Sequence, residues 1–140
     1  MNFTAKYIPY KQTVAFSKIA VDYLSNAPEL QPFYSHAPGA DGIKGAIAER
    51  RKYTTNRKVL VEALRQQYSG IETSDKVKAN IERLLQADTF TVCTAHQPNI
   101  FTGHLYFVYK IVHAIKLADE LNDTNKDCHF VPLYYMGSED

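Results

Sequence analysis

Cysteine is scarce in this chain. Cys93 and Cys128 are its only two cysteines, and they lie far apart in the sequence. Two cysteines do not make a disulfide-stapled scaffold, which needs several bridges. Each lies in an apolar, strand-like run, and this setting predicts two buried structural thiols. A catalytic thiol needs a partner that lowers its pKa, and the sequence alone does not supply one.

Long apolar runs and an excess of either charge are also absent. No stretch of about 18 apolar residues occurs, so a membrane-spanning helix is excluded. Residues Met1–Tyr10 lack the basic-then-apolar pattern of a signal peptide, so we expect a cytoplasmic protein. Sixteen Lys and Arg residues nearly balance fifteen Asp and Glu residues. This balance gives no electrostatic reason to expect nucleic acid or an anionic membrane as a partner.

Glycine-rich phosphate loops are missing as well. Neither a GxGxxG motif nor a Walker A motif occurs in the sequence, so the two common nucleotide-binding fingerprints are not available. What remains is an ordinary globular composition, with 45% hydrophobic and 22% charged residues. A chain of 140 residues is long enough to bury a core as one domain.

The first part of the chain, residues 1–88, reads as a mostly helical cover for a sheet. Apolar spacing predicts a helix over Thr13–Leu24 with Thr13 as its N-cap. Prolines and a glycine predict a loop over residues 26–41. Three more helices are predicted after it: one over Ile43–Arg50, one capped by Thr55 or Asn56 and stopped by Gly70, and one capped by Ser74.

The second part, residues 89–140, has the order strand, helix, strand. Alternating β-branched residues predict a strand over Thr89–Thr94, and a second apolar run predicts another over Cys128–Met136. Between them, an apolar stripe predicts a helix from about His104 to Leu121. A βαβ unit places its two strands parallel in one sheet. The predicted fold class is therefore α/β, with a partial parallel sheet and a helical amino-terminal region.

The loop after the first strand concentrates polar side chains where a ligand would bind. Parallel strands end at the same edge of a sheet, and ligands of open α/β sheets bind at that edge. The loop residues in question are His96, Gln97, Asn99, Thr102 and Gly103. The start of the following helix would add N–H groups suited to a phosphate or carboxylate. The pattern is equally compatible with a plain turn in which Thr102 caps the helix and a neutral His96 anchors the loop.

The segment after the second strand ends in Ser138, Glu139 and Asp140. Two carboxylates at the crevice could orient an amine, act as a base or hold a metal ion. An acidic turn without function is the alternative, and spacing does not choose between them. A metal site built on His96 and His104 would need ligands that the sequence does not offer, so no metal is predicted.

Two long segments carry a family resemblance. Residues 94–110 read T-A-H-Q-P-N-I-F-T-G-H-L-Y-F-V-Y-K, and residues 130–140 read F-V-P-L-Y-Y-M-G-S-E-D. They resemble the two signatures of the bacillithiol biosynthesis cysteine-adding enzymes, approximately T-G-H-Q-P-N-L-F-T-G-P-L-Y-F-I-Y-K and F-V-P-V-Y-W-M-G-S-E-D. Weaker similarity extends through most of the remaining chain.

The resemblance implies a Rossmann-like core followed by a connecting domain and a coiled coil that supports a homodimer. It implies a carbon–nitrogen ligase that joins cysteine to glucosaminyl malate in the last step of bacillithiol synthesis. ATP or ADP is a reasonable co-substrate, because a free carboxylate must be activated. In this setting we expect His96, Glu139 and Asp140 to be catalytic. Gln97, Asn99, Thr102, Gly103 and Ser138 are then expected to bind substrate.

Two residues and the length depart from the family pattern. Ala95 replaces a usual glycine and would be strained at a positive φ, while His104 replaces a usual proline. Family members are several times longer, so we expect an amino-terminal fragment that is inactive alone. Two other readings stay open: a nucleotidylyltransferase-like nucleotide-binding domain, and a binding module without enzymatic activity.

Overall fold

A computed structural model describes residues 3–138 of the chain. The chain divides into two compact units, Met1–Thr54 and Thr55–Asp140. Within the part that the structure describes, no helix is both long enough and apolar enough to cross a membrane.

The amino-terminal unit is built of short helices. Its helices are α1 (Tyr10–Thr13), α2 (Lys18–Leu24), a 3-10 helix (Pro28–Phe33) and α3 (Ala40–Arg50). The predicted helix over Thr13–Leu24 is wrong in its first turn. Val14 adopts a left-handed φ of 56°, which ends α1. Ser17 then caps α2 by accepting a hydrogen bond from the amide of Ala20.

The helix predicted over Ile43–Arg50 is confirmed as α3, which begins at Ala40. The predicted loop at 26–41 is confirmed except for the 3-10 helix over Pro28–Phe33 and for residues 40–41, which already belong to α3. None of the residues described between positions 3 and 54 is buried. These helices therefore have no apolar core within their own unit.

The second unit opens with a helical pair, α4 (Arg57–Tyr68) and α5 (Asp75–Arg83). The two predicted caps are confirmed, because Asn56 accepts from the amide of Val59 and Ser74 accepts from that of Val77. One apolar cluster joins these helices to the sheet that follows. Its buried members are Val61, Ile81, Leu84 and Val131.

The predicted βαβ unit is confirmed. Strands β1 (Thr89–His96) and β2 (His129–Met136) flank helix α6 (Leu105–Thr124) and pair in parallel. The register sets Thr89 opposite His129 and His96 opposite Met136. Each strand thus runs to the same sheet edge, which fixes where the following loops begin. The parallel α/β fold class is correct.

The outer edge of β2 is closed to further pairing near its start. The backbone amides of His129 and Gly137 donate to carbonyls of the β1 side. Because backbone groups alternate in direction along a strand, the N–H and C=O groups of the even-numbered residues of β2 point away from β1. At this outer edge, the Asn122 side chain donates to the carbonyl of Phe130 at 2.9 Å and accepts from its amide at 2.8 Å. Pro132 follows and has no amide to offer.

The prediction of two buried thiols is wrong for Cys93, which is exposed, while Cys128 is half-buried. Cys93 lies on the sheet face that carries Val131, and the α4–α5 pair covers only the beginning of that face. The alternating pattern predicted that β1 is a strand, but it does not show how far the α4–α5 pair covers the face of that strand.

Candidate functional site

The ends of the two strands meet at the carboxyl edge of the sheet. The amide of Gly137 donates to the carbonyl of His96 at 3.1 Å, and the hydroxyl of Tyr134 donates to the same oxygen at 3.1 Å. Ser138 follows Gly137 directly, so it lies at the same sheet edge at which the 97–104 loop begins. The predicted catalytic residues Glu139 and Asp140 lie outside the described residues.

The His96 ring has protein groups at both nitrogens. Its Nδ1 lies 3.0 Å from the backbone oxygen of Gln97 and 2.9 Å from Nδ2, the side-chain amide nitrogen of Asn99. Asn99 also donates to that Gln97 oxygen at 2.9 Å. On the other side of the ring, Nε2 lies 2.7 Å from the hydroxyl of Tyr106. His96 is therefore held on the loop by one nitrogen and on α6 by the other.

Aromatic rings surround His96. Tyr106 lies 5.3 Å and Phe107 lies 5.6 Å from it, measured between ring centroids. Phe107 also meets the Tyr134 ring edge-on at 5.6 Å, which links the site to β2. His104 stacks on Tyr106 with an interplanar angle of 11°. This packing limits how far the His96 ring can turn.

The loop backbone is strained before the helix. Phe101, Thr102 and Gly103 have φ values of 51°, 65° and 64°, a run in the left-handed region that is costly for residues with a side chain. Gly103 also approaches Asn99 closely, since an added Cβ would lie 2.7 Å from Asn99 Cγ. The Asn99 side chain thus leaves no room for a Cβ at position 103, where the φ already favours glycine.

The alternative in which Thr102 caps the helix is wrong. The Thr102 hydroxyl donates to the carbonyl of Phe101 at 2.6 Å. The N-cap of α6 is His104, and its side chain makes no cap hydrogen bond. The first amides of α6 are therefore not capped by a side chain, which leaves them suited to an anion.

A cation also reaches this edge. The Lys110 ammonium, one turn into α6, donates to the carbonyl of Ala95 at the end of β1. Together with the helix N-terminus, this cation favours the binding of a carboxylate or phosphate at the loop. Within residues 3–138, no three His, Cys, Asp or Glu side chains lie close enough together to hold a metal ion.

Three residues of this cluster are not among the site residues predicted from the sequence, namely Tyr106, Lys110 and Tyr134. A usable signal exists for Tyr106. Helical side chains point towards the N-terminus of their helix, so a residue in the first turn of α6 reaches back to the strand end that precedes it. The strand register indicates Tyr134, because this residue is paired with Thr94, two residues before His96 at the end of β1.

Fold and site together define a class. The chain has a parallel βαβ unit whose histidine, amides and helix N-terminus gather at the carboxyl edge, as in open α/β domains that bind small anionic ligands. Residues 3–140 match the model of the family described as "Bacillithiol biosynthesis BshC, N-terminal Rossmann-like domain". The chain belongs to this family. The predicted family and the predicted Rossmann-like class are both confirmed.

Relatives support the assignment. The chain is 43% identical over 136 residues to a Flavobacterium psychrophilum protein named "Putative cysteine ligase BshC", covering 95% of this chain and 26% of that protein. A Cytophaga hutchinsonii protein with the same name is 41% identical over 138 residues, covering 99% of this chain and 26% of that protein. The chain thus spans about a quarter of the length of these relatives.

Proposed function

We propose that this chain forms one wall of the active site of a carbon–nitrogen ligase in bacillithiol biosynthesis. The reaction joins the carboxyl group of cysteine to the amine of glucosaminyl malate, as the last step of the pathway. The observation that carries the proposal is the cluster around His96 at the carboxyl edge, in a chain that matches the BshC family over residues 3–140. This match favours the ligase over a nucleotidylyltransferase-like domain or a binding module.

His96 is the proposed acid–base and orienting group of this site. It lies at the end of β1, close to Gly137 at the end of β2, so it can serve substrates bound between the two loops. The Gln97 and Asn99 side chains, with the Thr102–Gly103 turn, would bind the acidic end of a substrate. The uncapped start of α6 and the Lys110 ammonium support this role, because both favour an anion.

The segment after β2 would receive the amine. Ser138 starts at the site edge, and the carboxylates of Glu139 and Asp140 are the proposed partners of the amine. A carboxylate does not form an amide without activation, so we propose ATP or ADP as co-substrate. The proposed whole protein is a cytoplasmic homodimer, to which this chain contributes only part of the active site.

The test is bacillithiol production in a strain that lacks its own enzyme. The protein supplied carries this chain in place of the matching amino-terminal quarter of the Flavobacterium psychrophilum relative. We expect His96→Ala and Glu139→Ala to lower bacillithiol formation by on the order of a hundredfold, which is typical for loss of a positioned acid–base group. Thiols are labelled in extracts and quantified after protein levels have been matched.

The matched control is His113→Ala, which removes an exposed histidine from the same βαβ unit. It should keep bacillithiol at the level of the unchanged chimera. If His96→Ala and Glu139→Ala retain the same level as this control, the site assignment is wrong.

A further inference from the structure

Tyr106 joins the site through a hydrogen bond to His96 that has consequences for the proton on the imidazole. The ring has one nitrogen beside a backbone carbonyl, Gln97 O at 3.0 Å, and the other beside a hydroxyl, Tyr106 Oη at 2.7 Å. A carbonyl oxygen accepts hydrogen bonds and never donates them, whereas a hydroxyl does both. The two contacts therefore constrain the ring differently.

The carbonyl contact requires a proton on Nδ1 if it is to be attractive. In neutral imidazole, Nε2 then carries the lone pair and accepts the Tyr106 O–H. Asn99 donates to the same Gln97 oxygen at 2.9 Å, and a carbonyl oxygen has two lone pairs, so it can accept from both side chains. The Asn99 side-chain nitrogen lies 2.9 Å from Nδ1, so with a proton on Nδ1 these two donors meet at that one oxygen. The opposite tautomer would set the Nδ1 lone pair against the Gln97 oxygen, leaving only Asn99 as its donor.

We propose that Tyr106 is a positioning residue that holds His96 as the Nδ1–H tautomer by donating its hydroxyl proton to Nε2. Its place in α6 suits this task, since a side chain in the first turn points back to the strand end. The stacked ring of His104 holds the other side of Tyr106, at a centroid distance of 5.6 Å. The half-exposed phenol keeps a lone pair of its oxygen available to a ligand.

The consequence for chemistry rests on the proposed function. With both nitrogens engaged, a substrate reaches the His96 base either by displacing Tyr106 or through the Tyr106 oxygen. In the second case, a substrate N–H proton passes to the Tyr106 oxygen while the phenolic proton passes to Nε2. The tyrosine ends neutral, and the histidine ends as imidazolium.

The tautomer can be read from the chain itself by ¹⁵N NMR, without substrate. We expect His96 to show a protonated Nδ1 and an unprotonated Nε2 at a pH where the ring is neutral. Tyr106→Phe removes the donor to Nε2 and should produce a mixture of tautomers. Tyr109→Phe is the matched control on α6, where it removes an exposed phenol, and it should leave the His96 signals unchanged.

The Gly137 amide signal checks that Tyr106→Phe keeps the strand ends together, because that amide donates to His96 O. An Nε2–H tautomer in the unchanged chain, or unchanged His96 signals in Tyr106→Phe, would overturn the proposal. The readout is independent of bacillithiol. A confirmed tautomer combined with a fully active His96→Ala chimera would refute the proposed function and leave the Tyr106 assignment standing.

Discussion

Arg57 shows how a single side chain organises the approach to the sheet. Its guanidinium donates to three backbone carbonyls, those of Leu84 at 3.0 Å, Ala87 at 3.3 Å and Thr89 at 3.0 Å. The oxygens of Leu84 and Ala87 belong to the turn between α5 and β1, and the third belongs to Thr89, the first residue of β1. A planar fork of donors suits this task, because it can hold several acceptors at fixed angles. Arg57 therefore fixes the point at which β1 enters the sheet.

We expect Arg57→Ala to lower the free energy of unfolding by about 2 to 3 kcal/mol, since hydrogen bonds to charged groups contribute roughly this much and the carbonyls lose their donors. Urea unfolding followed by circular dichroism measures the change. Lys58→Ala is the control, because it removes the neighbouring exposed cation. Equal urea midpoints for the two variants would show that the three hydrogen bonds of Arg57 make no net contribution to the free energy of unfolding.

The two departures from the family signatures are mild at the residue scale. Ala95 lies inside β1 and has no positive φ, so the strain that its Cβ would cause in a left-handed conformation does not arise. His104 sits at the N-cap of α6 with an extended backbone, φ −74° and ψ 150°. Its ring stacks on Tyr106 and adds to the packing around His96.

At the scale of elements, α4 and α5 are joined by an ion pair as well as by their apolar cluster. The Arg65 guanidinium donates through Nε to Glu82 at 2.7 Å and through a second nitrogen to the other carboxylate oxygen. This hydrogen bonding holds the pKa of Glu82 below its usual value. The pair is solvent-exposed, so its contribution to stability is screened and modest.

The direction of this pKa shift gives a pH dependence. A folded pKa below the unfolded one means that the stabilisation is present above the unfolded value and is lost as pH falls through the folded value. We therefore expect Glu82→Gln to destabilise the chain at about pH 7 and to have a smaller effect at about pH 3. Denaturant midpoints at both pH values measure this.

Glu72→Gln removes an exposed carboxylate outside the two helices and serves as the control for net charge. If Glu82→Gln and Glu72→Gln change the midpoint equally at both pH values, the ion pair does not stabilise the helical pair.

Elements with strong local signals could be predicted from the sequence. Asn56 and Ser74 mark the starts of α4 and α5, and the β-branched run from Thr89 marks β1. The break between α1 and α2 could not be predicted, because apolar spacing continues through Val14 while the backbone turns left-handed there. The Tyr106–His96 contact was missed for a different reason: it depends on side-chain direction between two elements.

At the scale of the whole molecule, much apolar surface stays exposed. Phe3, Tyr7 and Phe33 are 90%, 95% and 83% exposed in the amino-terminal unit. On α6, Leu105 is 69% and Val112 is 54% exposed. Exposed apolar patches of this kind promote association. The outer edge of β1 adds to this, since within residues 3–138 β1 pairs only with β2.

We expect the isolated 140-residue chain to associate, with an average mass in sedimentation equilibrium that rises with concentration. Val112→Lys should weaken this association, because a charge on the exposed face of α6 must be desolvated when another apolar surface covers it. Gln66→Lys adds the same charge to an exposed polar position of α4 and should leave the association unchanged. A monodisperse monomer that unfolds cooperatively would contradict the prediction, because it would mean that the exposed surfaces of both units are tolerated in water.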